Sequence, residues 1–158
     1  MDATMWLLVA AVIGNGLLVG ASLDQVIKQL PVRRRIGVVA FSDYSKPGDL
    51  GRGIAWYATL GIGAALLTVA AVVVGLTDRP GTQSEAALWL ALLLTVAHSF
   101  TTTRAAPLNF SQRAAAGDAG RLEAIFDRFE RWSRARSALQ VLTLLGMAWA
   151  LVASIAGA

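Results

Sequence analysis

Four long apolar runs alternate with two basic stretches along this chain, and that alternation restricts the fold more than any single motif does. Residues 5–23, 54–76, 85–102 and 137–156 are each close to the ~20 residues that a helix needs to cross a hydrocarbon core of about 30 Å. Backbone amides find no water there, so each run is predicted to be a helix and not an open strand. A soluble helical core fits poorly, because 56% hydrophobic residues and a mean hydropathy of +0.58 leave too little polar surface to cover it.

Charge then orients the runs. Thirteen of the 14 Lys and Arg residues lie within 28–52 and 104–136, and loops rich in these residues stay on the cytoplasmic side. The expectation is a multi-pass protein of the cytoplasmic (inner) membrane, with both termini and the turn carrying Arg79 and Pro80 outside. The first run has only the acidic Asp2 ahead of it and no basic flank, so it reads as a retained helix and not a cleaved signal. Trp6, Trp56, Trp89 and Trp149 fall towards run ends, where an indole anchors in the headgroups.

These features predict a single all-α domain over 1–158, an integral membrane four-helix bundle with a cytoplasmic amphipathic helix leading into the fourth span. Asp118 is placed to cap that amphipathic helix, whose stripe is Leu122, Ile125, Phe126, Phe129 and Trp132. Gly16 with Gly20, and Gly146 with Ala150 and Ser154, form small-residue stripes suited to close helix approach. The first helix is expected to run on to Leu30 and stop at Pro31 and Arg33, Arg34 and Arg35. Residues 42–53 read as a loop, with Asp49 placed to cap the second helix or hold an arginine, and Pro107 is expected to break the third helix near Ala106.

Composition removes several chemistries. The absence of cysteine excludes disulfide relays, Fe–S clusters and thiolate haem. A single histidine, His98, excludes bis-His haem and disfavours di-iron and copper sites. No glycine-rich phosphate loop follows a strand, so no bound cofactor or metal is expected. The pI near 10.3 comes from basic residues flanking apolar spans, which points to anionic lipid headgroups as partners and not to nucleic acid; a homo-oligomer stays open.

Polar side chains gather at the predicted cytoplasmic boundary. Asp24 and Gln25 come from the first helix, His98, Thr102, Arg104 and Asn109 from the end of the third, and Asp127, Arg131 and Arg134 share one face of the last. Ionisable groups at that depth are costly unless paired or wet, which suggests a polar cavity, although Arg131 and Arg134 also fit plain interfacial roles. Burial of Asp24 would make its carboxylate a candidate base, with His98 as the other. Tyr57 at the start of the second span and Asn15 inside the first complete the polar set offered to a hydrophobic ligand, Asn15 reading more readily as interhelical glue.

The text around these residues resembles the anthrone-oxygenase-like membrane family, small four-helix proteins most of which have no assigned function. Arg104, Pro107 and Asn109 match its P-x-N-like segment with upstream arginine, and Trp132 and Arg136 match its W-x-x-x-R-like segment, with Arg134 close by. The resemblance implies oxidation of a hydrophobic aromatic or quinone-like molecule without metal or flavin. It casts His98 or Asp24 as the base and Arg104 among the arginines that steady an enolate oxygen, and leaves Asn109, Asp127, Arg131, Arg134, Tyr57 and Asn15 to contact substrate. Two other classes compete: a non-enzymatic lipid-binding or accessory protein, and a small oligomeric transporter supported only by Asn15 and Gln140 in mid-membrane.

Overall fold

The computed structural model describes residues 3–78 and 81–156. The acidic flank at Asp2, the turn at Arg79 and Pro80, and the last two residues lie outside the described residues.

Hydrophobic run length translates directly into four helical rods: Ala3–Ile36, Val38–Thr77, Thr82–Ser111 and Ala119–Ala156. At 34, 40, 30 and 38 residues, each exceeds the ~20 that a span requires, so every rod carries an apolar part long enough to cross a bilayer and a more polar extension beyond it. The first rod comprises α1 (Ala3–Leu23), a π-helical turn (Asp24–Gln29) and α2 (Leu30–Ile36). The second comprises α3 (Val38–Pro47), a second π-helical turn (Gly48–Arg52) and α4 (Gly53–Thr77). The third and fourth are α5 (Thr82–Ser111) and α6 (Ala119–Ala156). No strand occurs among the described residues.

Three local expectations are corrected. Pro31 does not stop the first rod: directly after the π-helical turn Asp24–Gln29 a proline costs one ladder bond and not the helix, and the rod ends instead at Gly37, whose φ of 85° suits glycine. Residues 42–53 are not a loop. They form the end of α3 and a π-helical turn, bent at Gly51 (φ −99°, ψ −118°) and held to α5 because Ser42 and Ser45 donate to Gln112 Oε1 at 3.0 and 2.9 Å. Pro107 does not end the third helix, since it removes one ladder bond from a segment that Ala105 and Leu108 anchor to the core.

Other features agree with the sequence. Asp118 Oδ1 accepts from the Arg121 amide at 3.0 Å, the N-cap bond, and α6 runs unbroken from its amphipathic start into the fourth span. Leu122, Phe126 and Phe129 are buried with Leu30, Phe41, Ala105 and Ala115 in a cluster at the basic end, where the Phe41 and Phe126 rings meet edge to face at 5.0 Å. A second cluster of small and branched side chains, including Leu8, Ala11, Ala71, Ala87, Ala91, Met147 and Ala150, fills the opposite end. Gly146 lets α6 lie on Ala91, since a Cβ there would already sit 3.4 Å from the alanine methyl. Gly16 and Gly20 do not act this way: a Cβ at either would meet nothing within 4 Å, and the close approach of α1 falls to Gly14 beside Ala64 and Leu67. Trp6, Trp56, Trp89 and Trp149 all face outward.

Candidate functional site

Between the two core clusters lies a cavity of about 280 Å³. Its back wall comes from α1, the first π-helical turn and α6 through Leu18, Ser22, Gln25, Phe129, Arg136 and Gln140. Asp49, Leu50, Ile54, Tyr57, Ala58 and Gly61 come from the second π-helical turn and α4, and Thr102, Ala106, Asn109 and Phe110 from the end of α5.

Local structure explains the positions of the polar groups. Gln112 is fully buried, and its Nε2 donates to Asn109 Oδ1 at 2.7 Å, so Asn109 is held by its carbonyl side while its Nδ2 donates to no protein group among the described residues. Arg113 Nη2 donates to the Leu50 carbonyl at 2.9 Å and fixes the bend that carries Asp49. Gly53 is needed there, because a Cβ would lie 2.5 Å from the Gly48 carbonyl oxygen. Asp49 makes no capping bond, hydrogen bond or ion pair among the described residues, so the capping role expected for it is corrected; it shares the cavity with Arg136 instead.

Arg136 is the cation of the site. It is half-buried, its Nη2 donates to Gln25 Oε1 at 2.9 Å, its Nε is enclosed without a partner, and no carboxylate pairs with it among the described residues. Tyr57 stands within electrostatic reach of both Asp49 and Arg136. Gln140 is only 2% exposed, and its Oε1 also lacks a partner among the described residues. The cavity therefore offers a guanidinium donor, an amide acceptor, an amide donor and a free carboxylate, set among apolar walls. That inventory suits a flat apolar molecule with an oxygen head.

Several residues expected at the site lie elsewhere. Asp24 is not buried: its side chain is 39% exposed, paired with Lys28 at 2.5 Å and bonded by Gln29 at 2.6 Å, so the desolvation expected to make it a base is absent. Arg104 points outward with its guanidinium 5.1 Å from the Phe100 ring centroid. Asp127, Arg131 and Arg134 are exposed, because their face of α6 is turned from the cavity. Asp127 instead joins Glu130 on Arg33, which is 2% exposed and bonds them at 2.5 and 2.9 Å, and Arg134 also pairs with Glu130. Tyr57 and Asn109 do line the cavity. Asn15 is buried in the α1–α4 contact and donates to Ala11 O and Thr68 Oγ1, both at 2.9 Å, the interhelical role and not a cavity one.

His98 is buried but does not line the cavity, and neither ring nitrogen has a hydrogen-bond partner among the described residues. The antiparallel pairing of α5 and α6 is marked by Ala91 against Gly146 and by Ser84 3.4 Å from Ser154. Counting along both helices from Ser84 and Ser154 sets His98 level with Gln140, Thr95 with Thr143 and Thr101 with Ser137, a polar seam behind the cavity wall. His98 also lies within electrostatic reach of Arg136.

Arg136, Gln140 and Asp49 were not assigned to the sequence-derived site, Arg136 entering only through the W-x-x-x-R match, whereas Gln25 stood in its polar set. A signal for the first two existed, since Arg136 and Gln140 continue the buried stripe of Phe129 two and three turns further on, whereas Arg131 and Arg134 do not. Among the described residues, no group of three or more His, Cys, Asp or Glu side chains gathers as a metal site would need. No family model, no curated protein and no solved structure matches the chain.

Proposed function

We propose that this protein is a membrane enzyme of the oxygenase type, working on a hydrophobic aromatic or quinone-like molecule whose oxygen head seats on Arg136. The observation that carries this reading is the half-buried guanidinium of Arg136, its Nε enclosed and with no carboxylate partner among the described residues, in an apolar-walled cavity. A cation held away from water is costly unless an anion or a polarised oxygen meets it, so the missing partner is a ligand group.

The chemistry implied by the resemblance carries over with different residues. Asp49 takes a proton from a methylene activated by flanking aromatic rings and a carbonyl, and Arg136, with Tyr57 and Asn109 beside it, steadies the enolate oxygen. The carbanion carbon then reacts with O2. Overall the CH2 group and O2 become C=O and H2O: carbon loses four electrons, one oxygen atom enters the product and the other leaves as water with both hydrogens. His98, Asp24 and Arg104 have no part in these steps.

The test uses purified protein in nanodiscs with a hydroxylated anthrone. Oxygen uptake matched by quinone absorbance, lost in Arg136→Gln, supports the reading; no uptake above the spontaneous rate, with only phospholipid in extracts of the purified protein, removes it. A non-enzymatic lipid-binding role is the second reading, favoured by the exposed Lys28, Arg34 and Arg35 beyond the first span. It predicts membrane association that follows anionic lipid content and ignores Asp49→Asn.

A further inference from the structure

The cavity's walls differ in where they lead. On α1, the first π-helical turn and α6, Leu18, Gln25, Phe129 and Gln140 are each no more than 3% exposed, so that side is closed. On the other side Ile54 is 40% and Phe110 44% exposed, and Ala58 is exposed, so the mouth lies between α4 and α5. These residues sit in the first turns of one apolar run and just past the end of another, where the surroundings change from hydrocarbon to headgroup. At the opposite end the same two helices are in contact, with a Cβ at Gly75 only 3.0 Å from Leu88 Cδ1. The helices thus part at the basic end alone.

Size adds a second constraint. A cavity of about 280 Å³ falls just under the roughly 300–1,000 Å³ of sites that enclose a drug-sized ligand, so it holds a ring head and little more. Mouth residues Ile54, Ala58 and Phe110 present no charge to what passes between them.

We propose that the ligand is a single-headed amphiphile drawn sideways from the bilayer, its ring and oxygen head on Arg136 and its hydrocarbon chain leaving between Ala58 and Phe110 into lipid. This rests on the reading of Arg136 as the head-group cation and adds the class of ligand and its route.

The experiment compares 2-hydroxy-1,4-naphthoquinone with its 3-decyl derivative on protein in nanodiscs. The decyl compound should bind at least tenfold tighter in the wild type. Ala58→Phe, which fills the mouth, should bring that ratio towards one, whereas Ala55→Phe, on α4 but outside the cavity, should leave it unchanged. A diazirine at the chain end should label the lipid-facing sides of α4 and α5 in the wild type, which keeps the test independent of how the variants fold. Equal ratios in Ala58→Phe and Ala55→Phe, or labels confined to α1 and α6, overturn the sideways route while head binding sensitive to Arg136→Gln leaves the function reading standing. Binding of neither compound overturns both.

Discussion

Arg136 Nη2 donates to Gln25 Oε1 at 2.9 Å, and this neutral amide is the guanidinium's sole protein partner among the described residues. The bond ties α6 to the π-helical turn that follows α1, so the cation is positioned but not neutralised. π-Helical turns recur at functional sites because they redirect a few side chains without ending the helix.

Replacing an unpaired, largely enclosed charge with an apolar side chain of similar length should relieve its desolvation. Arg136→Met is expected to raise stability by about 1–3 kcal/mol while abolishing binding of 2-hydroxy-1,4-naphthoquinone. Thermal unfolding in detergent and a binding titration on the same sample check both halves. A variant that loses stability along with binding would show that the arginine is structural.

The buried Arg33 is the reverse case, since its charge is met by Asp127 and Glu130 and joins α2 to α6. Arg33→Ala strands Glu130, itself only 6% exposed, and is expected to cost roughly 3 kcal/mol. Arg35→Ala on the exposed side of the same helix should change stability by less than about 0.5 kcal/mol. Denaturation of the two variants side by side decides the contrast.

Two glycines of similar sequence setting should respond differently. Gly146→Leu forces a side chain into the α5–α6 contact at Ala91 and should destabilise by about 1–3 kcal/mol, whereas Gly20→Leu projects into open space and should be tolerated. Melting temperatures in nanodiscs report the difference.

Asp49→Asn is expected to lower the oxidation rate of a hydroxylated anthrone by at least about 100-fold, the usual contribution of a general base, with binding of 2-hydroxy-1,4-naphthoquinone retained. Asp24→Asn and Arg104→Ala, both outside the cavity, should leave rate and binding within twofold of wild type. Steady-state oxygen uptake separates the three variants, and a rate unchanged in Asp49→Asn would remove the carboxylate from the mechanism.

Much of the architecture was legible because it depends on local properties. Run length set the four rods, a residue such as Asp118 marks a helix start by bonding its own next turn, and the Leu122, Phe126 and Phe129 stripe repeats with the helical period. Pro107 misled because a proline's missing bond is a local cost, outweighed here by the packing of Ala105 on either side of which the helix continues.

The site was harder to read, for a rotational reason. Neighbouring positions on a helix point about 100° apart, so Arg131, Arg134 and Arg136 are equal in composition and differ only in the face they occupy. That face follows from where Gly146 rests on Ala91 and where Ser84 meets Ser154. The wide turn at Asp24–Gln29 adds a further twist that no hydropathy pattern encodes, turning Asp24 towards Lys28 and Gln25 towards Arg136. Sequence alone therefore determined that four helices form, each long enough to cross a bilayer, and that basic residues collect at one end, because these follow from transfer energies and the period of the backbone. Tertiary packing decided which arginine and which carboxylate share a cavity, because helix rotation and register are set by contacts between residues far apart in the chain.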